Sequence, residues 1–296
     1  MNRGPLTDRI VKAFKTMPGQ LQTAARYVLD RPQDVALLSM REQARRAGVQ
    51  PATMTRFAQR LGLDGYETVR ELYAEAIRTD GLGFAGRAGV QVASQKAKGD
   101  RALAIEMAET LTKQIARLGQ PDAVDQLVVA ATLLASANRI FCLGLRACHA
   151  VAWQLHYVLS LLGDRTVLLD GIAGVGRDQI RSVTPKDVLF ATSIEPYTHA
   201  TIEAAQYAHG RGVPIVALTD SAVSPLAQIA RQSILVPTDS PSFFHSLTPA
   251  FVVGEILAAI VAGRGGKASL DALRRTEAQL AAFHVHLSRR REKKAR

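Results

Sequence analysis

Through residue 80 the apolar positions recur three to four apart, as at Ile10, Val11 and Phe14, and Pro32 interrupts the run. That is the period of amphipathic helices, so residues 1–80 are predicted to be all-α. Residues 81–100 lose large apolar side chains and gain glycine, the composition of a linker. A helical pattern returns from Arg101 to about Ser136. Beyond it, short runs at 139–143, 166–169, 187–191, 214–218 and 233–236 alternate with helix-length segments. The runs are continuously apolar or β-branched, as strands covered on both faces of a parallel sheet are. A three-layer αβα sandwich over residues 101–288 is the expected body. Residues 247–261 are apolar nearly all round, which suits either its core or an interface. There is no internal repeat, and residues 289–296 form a basic tail.

Composition narrows the class. Of the 296 residues 47% are hydrophobic and 21% charged, an ordinary globular balance. No apolar run reaches the roughly 18–20 residues of a membrane span, and the first residues lack a signal-peptide core, so a cytoplasmic protein is expected. Cys142 and Cys148 are too few for a disulfide framework and read as reduced thiols. His284 and His286, two apart on a predicted helix, point to different faces. Neither a metal nor a cofactor is expected. Charge matters once it is divided along the chain: residues 1–80 hold 13 Lys/Arg against 9 Asp/Glu, 103–288 hold 14 against 15, and the tail 6 against 1. A basic head on a neutral body suits a head that meets a polyanion and a body that meets something small. Solubility alone would also account for surface cations.

The segment 40–57, MREQARRAGVQPATMTRF, has the spacing of a helix-turn-helix. Ala44 is small where two helices would cross, Gly48 can take the left-handed conformation of the turn, and Met54 with Phe57 would fix the second helix to a core. Pro51 suits the first turn of that helix, whereas Gln50 is a poor N-cap. Gln50, Ala52, Thr53, Thr55, Arg56, Gln59 and Arg60 form the predicted DNA-reading set, Arg for guanine or phosphate and Gln for adenine. A plain αα-hairpin is the alternative.

The stretch 38–73, LSMREQARRAGVQPATMTRFAQRLGLDGYETVRELY, resembles the N-terminal region of the RpiR/MurR family of bacterial regulators. Ala47-Gly48-Val49, Ala52-Thr53, Arg56-Phe57, Leu61-Gly62 and Gly65-Tyr66 stand at matching places, with Gln50-Pro51 where a capping serine is usual. Residues from about 101 to 286 resemble that family's SIS (sugar isomerase) domain. The resemblance implies a five-stranded parallel sheet with a ligand site beyond its strand ends.

In an open parallel sheet, ligands lie beyond the carboxyl ends of the strands, where helix N-termini present free N–H groups. Three segments qualify: Gly144, Arg146, Ala147 and Cys148 after the first run; Ser193, Glu195, Tyr197, Thr198 and Thr201 after the third; and Ser240 and Ser242 after the fifth. The resemblance assigns the first two to phosphosugar contact, through serines that here fall on Ala147 or Cys148 and on Ser193, Glu195, Thr198 and Thr201. Ala147 cannot donate a hydrogen bond, and Glu195 would set a carboxylate beside a phosphate. Arg146 could clamp an anion instead. Residues 171–176, GIAGVG, lack the full dinucleotide fingerprint and read as a turn.

The expected function is therefore a sequence-specific regulator that binds operator DNA and senses a sugar, sugar acid or sugar phosphate, working as a homodimer or homotetramer away from membranes. The alternatives are a sugar-phosphate isomerase, for which Glu255 as base and His245 as its partner could be nominated, and a non-catalytic scaffold.

Overall fold

The computed structural model describes residues 5–14, 16–80, 83–170 and 175–286. Most of the glycine-rich turn at 171–176 and all of the basic tail lie outside the described residues. The chain divides into two compact units, one running up to Ala104 and including Pro241–Phe244, the other Ile105–Ser240 and from His245 onward.

The first unit is helical: α1 (Thr7–Phe14), α2 (Gly19–Asp30), α3 (Pro32–Leu37), α4 (Met40–Ala47), α5 (Pro51–Arg60), α6 (Tyr66–Asp80) and α7 (Phe84–Lys98). Pro32 ends one helix and opens the next, at a position where its missing N–H leaves no bond unmade. Ile10, Ala24, Val28, Val35, Ala44, Met54, Phe57, Val69 and Tyr73 make the core. One amide is buried among them: Gln43 Nε2 donates to the Val35 and Leu38 carbonyls at 3.0 and 2.8 Å.

The expected linker at 81–100 is instead helical from Phe84 to Lys98, and none of that helix is buried. Alanine, glutamine and lysine outweigh its two glycines in propensity, while the lack of large apolar residues leaves it no core face. Phe84 stacks on Phe244 with ring centroids 5.3 Å apart, and the Phe243 N–H donates to Gln91 Oε1 at 2.9 Å. The helical pattern expected from 101 to 136 forms two helices, α8 (Asp100–Leu118) and α9 (Pro121–Ser136), the second opened by Pro121.

In the second unit the strands are β1 (Ile140–Gly144), β2 (Thr166–Leu169), β3 (Val188–Thr192), β4 (Ile215–Thr219) and β5 (Gln232–Leu235). They form one parallel sheet in the order β2-β1-β3-β4-β5. Because side chains alternate along a strand, Ile140 and Cys142 of β1 join one core and Phe141 and Leu143 the other. On the first face lie α9, α10 (His149–Ser160) and α12 (Thr248–Ala282); on the second lies α11 (His199–Gly210). This is the αβα sandwich.

The apolar segment 247–261 belongs to the core: Ala250, Val253, Leu257, Ala258 and Val261 of α12 pack with α9, α10 and the sheet. By length and composition alone α12 could cross a membrane, although Glu255, Arg264 and Lys267 interrupt its apolar sequence and its apolar side chains are used in this core. The helix breaks at Gly266, whose φ of 50° and ψ of −124° are outside helical values.

At the amino ends of the strands Asp187, 1% exposed, ties the start of β1 to that of β3. It accepts from the Arg139 guanidinium at 2.9 Å and from the Thr184 N–H and hydroxyl at 2.8 and 2.9 Å.

Candidate functional site

The helix-turn-helix is built as its residues require. Ser39 caps α4 by accepting the Glu42 N–H at 3.3 Å, and Gly48 ends it in the left-handed region at φ 68°. Gln50 precedes α5 in extended backbone and makes no side-chain cap, leaving Pro51 as the first helical residue. Ala44, Met54 and Phe57 are fully buried. Gln50, Ala52, Arg56, Gln59 and Arg60 are exposed, Arg56 Nε donating to the Ala52 carbonyl at 3.3 Å and Arg60 reaching the Thr16 hydroxyl at 3.4 Å.

Two members of the predicted set depart. Thr53 is 3% exposed, turned into the core with Met54 and Phe57. Its place one helical turn before Phe57 puts it on that face, and its methyl suits the position. Thr55 is half-buried, its hydroxyl 3.8 Å from Met40 Sδ. Sequence reasoning passed over Arg41 and Arg45, both exposed on α4. Arg45, followed by Arg46, bonds to Glu42 and pulls its carboxyl down to about 2.

The second candidate lies at the carboxyl edge of the sheet. β1 and β3 are neighbours, yet the chain leaves β1 for α10 on one face and β3 for α11 on the other. Strand order reverses here, the place where open α/β sheets take ligands. Packing around Gly144 is close: a methyl group on it would stand 2.4 Å from the Cys148 carbonyl oxygen and 2.8 Å from Thr192 Cγ2. Only glycine fits. Arg146 follows in the left-handed region at φ 54°, with an exposed side chain, and Ala147 is half-buried. Cys148 is buried; burial pushes its thiol up, against the neighbouring Ile194 backbone and Thr192 hydroxyl, which draw it down.

From β3, Ser193 is buried and its hydroxyl accepts the Thr198 N–H at 3.3 Å, bracing the start of α11. Thr198 precedes α11 in extended backbone, Tyr197 is half-buried and Glu195 is exposed. Thr201 is fully buried, and its Oγ1 has no hydrogen-bond partner among the described residues; Thr192 is buried as well, beside the Cys148 thiol. Asp220, just after β4, was missed by sequence reasoning, because an aspartate after a strand is also an ordinary turn residue. Its Oδ2 accepts the Glu195 N–H at 3.4 Å and its Oδ1 the Thr219 hydroxyl at 3.2 Å.

The third expected segment does not hold together. Ser240 stays with the second unit, where Gln114 Nε2 fixes the adjacent Asp239 carbonyl at 2.7 Å. Ser242 belongs to Pro241–Phe244, which groups with the first unit, and its hydroxyl accepts the Phe244 N–H at 3.4 Å. The aromatic pair Phe243-Phe244 decides this, by its attachment to α7. Glu255 is exposed on α12.

Residues 133–260 match the family described as SIS domain. An uncharacterised HTH-type transcriptional regulator of Caldanaerobacter subterraneus subsp. tengcongensis is 26% identical over 237 residues, 74% of this chain and 75% of that one. The sugar isomerase domain of an RpiR transcription factor from Sphaerobacter thermophilus superposes with TM-score 0.54 at 27% identity, over 60% of this chain and 98% of that. The Vibrio vulnificus NanR protein, solved in complex with ManNAc-6P, gives TM-score 0.54 at 21% identity, over 93% of this chain and 98% of that, a likeness of fold. The second unit is thus a SIS domain, preceded by a helix-turn-helix. The chain is similar to an HTH-type transcriptional regulator along most of its length, and its second unit is similar to the sugar isomerase domain of an RpiR transcription factor.

Proposed function

We propose that this protein is a cytoplasmic transcriptional regulator that binds operator DNA through α5 and senses a sugar, sugar acid or sugar phosphate at the strand-end site, changing its operator affinity. The observation that carries this reading is the exposed row Ala52, Arg56, Gln59 and Arg60 on a helix fixed by Met54 and Phe57, in one chain with a SIS domain. Arg and Gln on such a helix can read base edges in the major groove. It acts as a homodimer or homotetramer, since one short helix reads few base pairs and paired half-sites are the usual solution. For control, the ligand must favour one arrangement of the reading heads, and a coupling of about 1–3 kcal/mol suffices. No isomerase step is assigned to Glu255 and His245.

Selection of bound fragments from genomic DNA, followed by gel shift with and without candidate carbohydrates, tests the reading. A specific site whose occupancy a carbohydrate changes at least fivefold is expected. Turnover of a sugar phosphate at ordinary enzyme rates, with no selected DNA site, would replace the reading with catalysis.

A further inference from the structure

A cavity of about 200 Å³ lies in the second unit at the amino edge of the sheet, away from the strand-end site. Ile140 and Thr166, the first residues of β1 and β2, line it together with the last turn of α10 and the part of α12 on either side of the break at Gly266. Its floor is apolar, made by the buried Ile140, Leu159 and Val261. Arg165, just before β2, and Arg264 of α12 line it as well, and no Asp or Glu does. Each guanidinium has five N–H donors, and among the described residues each uses one terminal nitrogen on the protein. Arg165 Nη2 donates to the Ala135 and Ala137 carbonyls, and Arg264 Nη1 to the Thr132 hydroxyl at 2.7 Å. Thr166 adds a buried hydroxyl with no partner among the described residues. The carboxyl ends of α9 and α10 also border the cavity. Each brings about half a negative charge, which two full positive charges outweigh.

We propose that this cavity is a second ligand site, separate from the strand-end site, and takes a small monocarboxylate with a short hydrocarbon chain. A guanidinium meets a carboxylate through paired hydrogen bonds, and two guanidiniums with no acid beside them leave the charge to be balanced by a ligand. The apolar floor favours a hydrocarbon chain over a hydrated inorganic ion. Size sets the length of that chain. A water takes about 30 Å³ in the liquid, so the space matches a molecule of about seven non-hydrogen atoms, such as pentanoate. A carboxylate shared between Arg165 and Arg264 would tie α12, next to its break, to the edge strand β2.

The full-length protein is titrated with sodium pentanoate by calorimetry at constant ionic strength, and the amide signals of Gly163 and Ser269, both in the lining, locate the binding. Saturable binding with a dissociation constant of about 1 mM or below is expected. Pentanol should bind at least about fivefold more weakly, and pentylammonium not at all. Arg264→Met is expected to weaken pentanoate binding at least about fivefold. Thr132→Ala removes the hydrogen-bond partner of Arg264 but not its charge, and should keep the wild-type affinity. A loss in Thr132→Ala equal to that in Arg264→Met would make the arginine a brace between helices and overturn the proposal. If Arg264→Met does not fold, Ala268→Leu, at an exposed position of α12, fills the same space and should abolish binding. Pentanol binding as tight as pentanoate, no saturation of the wild type below about 10 mM, or unchanged affinity in Ala268→Leu would each overturn it. None of these outcomes bears on operator binding, so failure here leaves the regulator reading standing.

Discussion

The Tyr66 hydroxyl donates to Gln43 Oε1 at 2.6 Å inside the helical unit, while the same amide's nitrogen holds the Val35 and Leu38 carbonyls. One side chain of α4 thus ties the start of α6 to the end of α3. Gln43→Ala would leave three buried polar groups unpaired. It is expected to destabilise the unit by about 2–4 kcal/mol, and Tyr66→Phe by only about 1 kcal/mol. Urea unfolding of both variants checks the order, and equal losses would show that the amide is not the hub.

Arg56 and Thr53 share a helix and differ in direction, which predicts a double dissociation. Arg56→Ala should weaken specific operator binding by about 1–3 kcal/mol at unchanged stability. Thr53→Asp should instead unfold the head, because it forces a charge into a closed core. Anisotropy titration and thermal unfolding, run on both variants, measure the two effects.

Asp187 predicts a pH dependence. Burial alone would raise its carboxyl, but hydrogen bonds from Arg139 and Thr184 outweigh burial and hold it below the usual carboxylate range. A group depressed in the folded state gives stability that is complete above its unfolded value of about 3.9 and is lost as pH falls through the folded value. Urea unfolding across that window should show Asp187→Asn less stable than wild type at neutral pH and flatter with pH below about 4. A parallel slope in the two proteins would remove the assignment.

The turn at Gly144 makes a sharper steric demand. Gly144→Ala must push the Cys148 carbonyl or Thr192 aside, at a cost of about 1–3 kcal/mol. Any ligand response should be lost with operator binding intact. A fully responsive Gly144→Ala protein would place the effector elsewhere.

Much of this was legible in the sequence, and the misses have physical causes. The run at 166–169 is β2 to the residue, while β1, β3 and β4 each begin and end one residue later than their apolar runs. Ladder hydrogen bonds continue onto Gly144, Thr192 and Thr219, where hydrophobicity gives no signal. Gly48, Ala44, Met54 and Phe57 were readable because backbone sterics and helix period fix them. Thr53 was not, since a polar name hid a methyl facing the core. Helix α7 escaped because with no buried residue it leaves no periodic trace. Asp220 and the division of the third loop depend on contacts between residues far apart in the chain.

The sheet lies between two separate cores, and only the last residue or two of each strand reach its carboxyl edge. Most of the residues proposed to meet an effector sit on connections, among them Arg146, Ala147, Glu195 and Asp220, and their replacement leaves both cores untouched. A chain built this way can change what its turns recognise without relearning how to fold, because the strands are constrained only by their burial.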